Sequence, residues 1–294
     1  MTKKLLITGG CSYTDSQYTI SDPSMDQNPG PWPMWPEYLG HKLNLEVLNT
    51  AASGSSNEKI FHETMEKIIQ YRDRVDTVAI LWTEFDRSRF YGVTDWMPIS
   101  EAVISLGQNA AFPDGTGFEW RDVMGLSNVL TNFFKSKIFW SVRHQFVKNS
   151  VHDSFRYMLM MAEYCKAYNI KYIFMQGLAP FQWMTLNRLA QELPMNTQPN
   201  GELPQTDMKE YIDYFIKNPW FGNIDKGHKK NIIGWPLEPQ LNGYYLDFVR
   251  YGGANGFEKS EEGYNVSNID LHPNEEAQEI TSNIFYQRHK EIYG

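Results

Sequence analysis

The chain has 294 residues, 21% of them charged and 41% hydrophobic, which excludes a disordered or fibrous protein and supplies enough apolar side chain for a sizeable core. Twenty-seven Lys and Arg against 35 Asp and Glu leave a net charge of −8 with no basic cluster, which argues against nucleic acid or an anionic membrane surface as a partner. The two cysteines, Cys11 and Cys165, are too few for a disulfide framework and lack metal-ligand spacing.

In chain order, Lys4 to Thr8 is a short apolar run stopped by Gly9-Gly10 and predicts a buried strand ending in a tight turn. Its three consecutive apolar residues are too few for the apolar region of a signal peptide, and no run approaches the roughly 18 residues of a membrane span. The expectation is a cytoplasmic chain, or one released by lysis or carried on a virion. In the turn Gly9-Gly10-Cys11-Ser12-Tyr13-Thr14, a small hydroxyl residue just past a strand can project its oxygen among backbone N–H groups. Such donors suit a phosphate or a developing oxyanion. Ser12 reads either as a nucleophile or, with Thr14, as a cap on the next helix.

Pro33 to Leu43 predicts a short helix with Trp35, Tyr38, Leu39 and Leu43 on one face, and Leu45 to Asn49 a second strand. The small-residue turn Thr50 to Asn57 lets a ligand approach the backbone, with the Gly54 N–H as an oxyanion donor; the plainer reading is a turn capped by Ser56 or Asn57. Glu58 to Tyr71 predicts a helix with Ile60, Phe61, Met65, Ile68 and Ile69 on one face, and Val75 to Trp82 a third strand. Residues 88 to about 150 lose this rhythm and read as an insertion holding a helix near 127–140. A helix from about Val151 to Tyr168 and a strand from Lys171 to Met175 follow. A second irregular stretch, 178–263, holds a helix at Asp207–Lys217.

Asp270-Leu271-His272-Pro273-Asn274 then precedes a closing helix from Pro273 to about Glu291, with Pro273 suited to the first helical position. Histidine is the usual base for a serine and needs an acceptor to hold its ring, which Asp270 is near enough to supply. By itself, Asp-x-His-Pro reads equally as a helix start with an exposed His. The alternation of strands and helices predicts a single α/β domain over 1–294: a three-layer α/β/α sandwich on a mostly parallel, flavodoxin-like sheet. The turns Gly9–Thr14, Thr50–Asn57 and Thr83–Arg87 would then share the crevice at the carboxyl ends of the strands.

Together these blocks resemble the SGNH (GDSL-like) hydrolase family, and in Gly-Cys-Ser-aromatic-Thr and Trp82-Thr83 its divergent members from phages and marine bacteria. The family's Gly-Asp-Ser-x-Thr-like block is met by Gly10-Cys11-Ser12-Tyr13-Thr14, with Cys in place of Asp. Its Asn-x-(Gly/Ala)-x-x-Gly block is met by Asn49 to Gly54, and its closing Asp and His by Asp270 and His272. The resemblance implies an SGNH fold and a serine esterase with Ser12 as nucleophile, His272 as base and Asp270 as orienting acid. The Ser12 and Gly54 amides would form the oxyanion hole. Two departures stand out. The last block is Asp-x-His rather than Asp-x-x-His, and Glu84 stands near the position of the family's third-block Asn. An ionised carboxylate cannot donate a hydrogen bond, so Thr83 or Arg87 replaces that donor, or the hole has two amides.

The implied substrate is an acyl ester, such as an acetyl ester, of a small molecule or glycan, with no metal and no cofactor. The alternatives are a weak or inactive module of the same fold that binds a glycan or protein partner, and an acyltransferase. Cys11 is a rival nucleophile. His144, His152 with Asp153, and His228 read as surface or packing residues. Gly252 to Gly256 reads as a loop. Trp96, Trp120, Trp183, Trp220 and Trp235 read as packing or as a sugar-binding rim.

Overall fold

A computed structural model describes residues 3–18, 32–83, 85, 137–177, 217–235 and 272–294, the side chains of 137–148 excepted. Five strands, β1 (Leu5–Gly9), β2 (Glu46–Asn49), β3 (Val75–Trp82), β4 (Lys171–Gln176) and β5 (Ile232–Ile233), form one sheet in the order β2-β1-β3-β4-β5. Every neighbouring pair is parallel. This is a doubly wound order whose direction reverses between β1 and β3, and in such sheets the ligand crevice opens beside that reversal, at the carboxyl end of β1.

A parallel strand covered on both faces buries side chains on both, so the central strands read as near-continuous apolar runs whose successive side chains point to opposite layers. Leu5 and Ile7 of β1, Val78, Ile80 and Trp82 of β3, and Tyr172 and Phe174 of β4 pack into one apolar layer. Leu6, Ala79, Leu81, Ile173 and Met175 point the other way into a second. The first layer is closed by α2 (Asn57–Gln70), α3 (Lys137–Ala167) and α4 (Pro219–Gly227), which bring Ile60, Phe61, Phe155 and Phe221. The second is closed by α1 (Trp35–Leu43) and α5 (Glu275–Tyr293), which lie against each other. There Trp35 stacks on Phe285 at 4.5 Å between ring centroids and 11° between planes, both side chains fully buried.

The predicted elements as far as β3 stand within a residue or two of their observed bounds. Two later ones differ. The helix expected from about Val151 begins at Lys137, because no Gly or Pro lies between 137 and 167 to break it. α4 and β5 lie inside the stretch read as irregular. α4 is nine residues long and opens on Asn218, whose side chain accepts from the Trp220 N–H, while β5 has only two residues. Signals that short do not stand out by periodicity. Pro273 precedes the N-cap of α5 rather than occupying its first turn; the cap is Asn274, whose Oδ1 accepts from the Ala277 N–H at 3.1 Å. The helix expected at Asp207–Lys217, apart from Lys217 itself, and most of both insertions lie outside the described residues. No helix among the described residues is long and apolar enough to cross a membrane.

Because Phe285 couples α5 to α1 through a fully buried stack, Phe285→Ala is expected to destabilise the protein by about 3–5 kcal/mol, read as a lowered midpoint in urea denaturation.

Candidate active site

Directly after β1 the chain winds into a helical turn, with the Thr14 N–H donating to the Cys11 carbonyl at 2.9 Å and the Asp15 N–H to the same oxygen at 3.1 Å. A Cβ on Gly10 would stand 2.1 Å from Thr14 Oγ1. That hydroxyl cannot move aside freely, because it accepts from the indole Nε1–H of Trp35 at 3.1 Å. Only glycine therefore lets β1 turn this sharply. The turn leaves Ser12 half-buried, while Cys11 is buried in the apolar layer beneath α1 and α5, an unsuitable place for the rival nucleophile.

His272 reaches Ser12 from the other end of the chain. Its Nε2 lies 2.9 Å from Ser12 Oγ, across 260 residues of sequence. With the imidazole neutral and carrying its proton on Nδ1, the Ser12 hydroxyl donates to Nε2. Two tyrosines enclose the ring: Tyr18 lies over it at 4.1 Å and 32°, and Tyr13 meets it at 5.2 Å and 72°. The approach of α5 to the Ser12 turn is set by Gln278, a buried residue on its first turns. Gln278 Oε1 accepts from the Trp35 N–H at 3.0 Å, and its Nε2 donates to the Tyr13 carbonyl at 3.3 Å.

Gly54 lies in the turn after β2, the strand hydrogen-bonded beside β1, and has φ 74°, a left-handed conformation that favours glycine. Two polar residues tie this turn to Ser12's. Asn49 Nδ2 donates to the Thr14 carbonyl at 2.7 Å, while its Oδ1 accepts from Thr8 Oγ1 and the Ala51 N–H, each at 3.1 Å. Asp15 is buried, and its Oδ2 accepts from both the N–H and the hydroxyl of Ser53 at 2.8 Å. Its Oδ1 accepts from the Gln17 N–H at 2.9 Å, which fixes the other end of the carboxylate.

Thr83, after β3, is fully buried, and its N–H donates to Asn57 Oδ1 at 2.9 Å. The Thr83 carbonyl accepts from Gln176 Nε2 at 2.7 Å and Asn57 Nδ2 at 3.2 Å, so the turn after β3 is held by α2 and β4. The Thr83 amide is thus committed within the fold. Glu84, Arg87 and Asp270 lie outside the described residues. The structure therefore brings Ser12 and His272 together and ties the Gly54 turn to the Ser12 turn. The tying residues Asp15 and Gln278 carry no motif signal, and Asn57 reads only as a candidate cap, a place that Ser56 takes; their partners across the fold reveal their roles.

The remaining candidates are packing residues where they are described. His228 is buried between the Tyr172 hydroxyl, 2.5 Å from Nδ1, and Glu163 Oε1, 2.7 Å from Nε2. His152 Nε2 accepts from the Trp220 indole N–H at 2.8 Å. Trp235 stacks on Phe221 at 4.5 Å and donates to Asp225 Oδ1 at 2.9 Å. Trp220 and Trp235 both pack against the apolar layer under α3 and α4 rather than forming a rim. Burial pushes the Cys165 thiol up to about 12, as an inert core residue requires. No group of three or more His, Cys, Asp or Glu among the described residues could hold a metal.

No protein-family model matches the chain, and no curated protein matches it. The chain is similar to the crystal structure of TesA, with a TM-score of 0.42 and 13% sequence identity over 98% of this chain and 99% of that one.

Asp15→Ala removes the acceptor shared by the Ser53 and Gln17 amides and is expected to cost about 1–3 kcal/mol, measured by urea denaturation. An unchanged midpoint would show that the carboxylate does not hold the two turns together.

Proposed function

We propose that the chain is a serine hydrolase that cleaves an acyl ester, with Ser12 as nucleophile and His272 as general base. The observation that carries this reading is the 2.9 Å contact between Ser12 Oγ and His272 Nε2, the distance at which a base takes a hydroxyl proton. In this scheme His272 takes the Ser12 proton as Oγ forms a bond to the acyl carbon. The carbonyl oxygen becomes an oxyanion that accepts from the Ser12 and Gly54 amides. Collapse of the tetrahedral intermediate breaks the ester C–O bond, and the imidazolium gives its proton to the departing alcohol. Water then repeats the sequence on the acyl-Ser12 ester, releasing the acid and restoring the hydroxyl. Asp270 would accept from Nδ1–H and fix the tautomer, as the order of blocks in the sequence suggests. The scheme needs no metal or organic cofactor, and the proposed substrate is a short acyl ester, such as an acetyl ester, of a small molecule or glycan.

One observation favours a second reading. The Thr83 amide is taken by Asn57, so it adds no third backbone donor to the Ser12 and Gly54 amides of the proposed oxyanion hole. Loss of one such donor typically lowers kcat by about 10²–10³. A slow or inactive module of this fold that binds a glycan or protein partner is consistent with that, whereas acyl transfer to a sugar hydroxyl would appear as a new ester when an alcohol acceptor is added.

Hydrolysis of p-nitrophenyl acetate by the wild type, Ser12→Ala and His272→Ala separates these readings. Each substitution is expected to lower kcat/KM by at least about a thousandfold, and a fluorophosphonate probe is expected to label the wild type but not Ser12→Ala. Equal rates in the wild type and Ser12→Ala would sink the catalytic assignment, and an unlabelled, inactive wild type would favour the binding module.

A further inference from the structure

We infer that Tyr18 is a positioning residue that holds the His272 imidazole in register with Ser12; the inference rests on the serine-hydrolase reading of the same pair. His272 lies just before the N-cap of α5, where Pro273 and Asn274 fix its backbone but not its ring. The χ2 torsion of histidine is broad, so backbone placement alone does not set where Nε2 points. The 2.9 Å contact with Ser12 needs a ring held from outside.

Two aromatic contacts do this from different directions. Tyr18 covers the imidazole face at 4.1 Å and 32°, which resists tilting, and Tyr13 meets it at 5.2 Å and 72°, which resists swinging. Tyr13 follows Ser12 directly and is buried by the core. Tyr18 has no such neighbours in sequence, and its position is set by its N–H donating to the Asp15 carbonyl at 3.1 Å. Asp15 is the buried residue whose carboxylate holds the Gly54 turn, so one anchor sets both the ring clamp and the proposed oxyanion donor.

The Tyr18 face also acts on the charged step. When His272 takes the Ser12 proton, an imidazolium forms close to the N-terminus of α5, whose partial positive charge disfavours it. An aromatic face at stacking distance attracts a cation and offsets that penalty. Two carboxylates of this region are engaged elsewhere: Asp15 with Ser53 and Gln17, and Glu275 with the Tyr38 hydroxyl at 3.1 Å. Both effects act on the proton-transfer step and touch no substrate-binding group, so they belong in kcat and not in KM.

The test compares full-length wild type, Tyr18→Phe and Tyr18→Leu, first by NMR. The His272 ring protons are expected to show an upfield ring-current displacement and cross-peaks to Ser12 Hβ in the wild type and Tyr18→Phe. Both should be lost or weakened in Tyr18→Leu. On p-nitrophenyl acetate, kcat is expected to fall on the order of tenfold or more in Tyr18→Leu, with KM within about twofold and Tyr18→Phe restoring the rate, since small misplacements of reacting groups carry losses of that size. Persistence of the Ser12 cross-peaks in a folded Tyr18→Leu, or a kcat equal to wild type once the ring-current displacement is gone, overturns the inference. The NMR arm reads the clamp even in a protein that hydrolyses no ester. An inactive wild type with Ser12 cross-peaks lost only in Tyr18→Leu therefore supports the clamp while refuting the hydrolase reading.

Discussion

A buried side-chain amide, that of Gln278, holds the two ends of the site in one place. It accepts from the backbone of Trp35 at the start of α1 and donates to the carbonyl of Tyr13 in the turn that carries Ser12. Because it lies 1% exposed, either bond left unmade would strand a polar group away from water, a penalty of about 1–3 kcal/mol. α5 therefore cannot slide along α1 without cost, and the stack of Trp35 on Phe285 resists rotation of the same pair. His272 precedes this helix closely enough to inherit its placement. The contact between Ser12 and His272 is thus a consequence of how α1, α5 and the first turn lock together.

The three turns at the carboxyl edge of the sheet are joined by the same kind of chemistry. Asn49 and Asp15 link the first and second turns, and Asn57 links the third to the start of α2. Each of these side chains satisfies backbone groups that the loops would otherwise leave unpaired, as loops near a core must. The parallel sheet supplies the common edge. Short polar side chains set the spacing between loops to within a hydrogen bond, which is the tolerance that the proposed proton transfer from Ser12 to His272 demands.

The strands and the helices that follow them, as far as β3, were legible because a two-sided sheet imposes unbroken apolar runs and α2 imposes a strong helical period. Ser12, Gly54 and His272 were legible because each stands at a boundary where a small residue, a left-handed turn or a helix start leaves a local mark. Tyr18 and Asp15 were not, since a tyrosine and an aspartate in a polar turn look like any exposed loop. The commitment of the Thr83 amide to Asn57 was equally hidden, because the two residues come from different elements and neither one's local pattern names the other as its partner.

The amino-acid sequence by itself determined that the chain forms a parallel α/β sheet and that a serine, a glycine turn and a histidine stand at its carboxyl edge. Those features follow from local periodicity and backbone sterics, which act over a few residues. Only the tertiary structure decided that Ser12 and His272 meet at 2.9 Å, that two tyrosines enclose the imidazole, and that Asp15 ties the Gly54 turn to the Ser12 turn. These depend on side-chain packing and hydrogen bonds between residues tens to hundreds of positions apart. No local rule encodes such distances; they are fixed when the core closes.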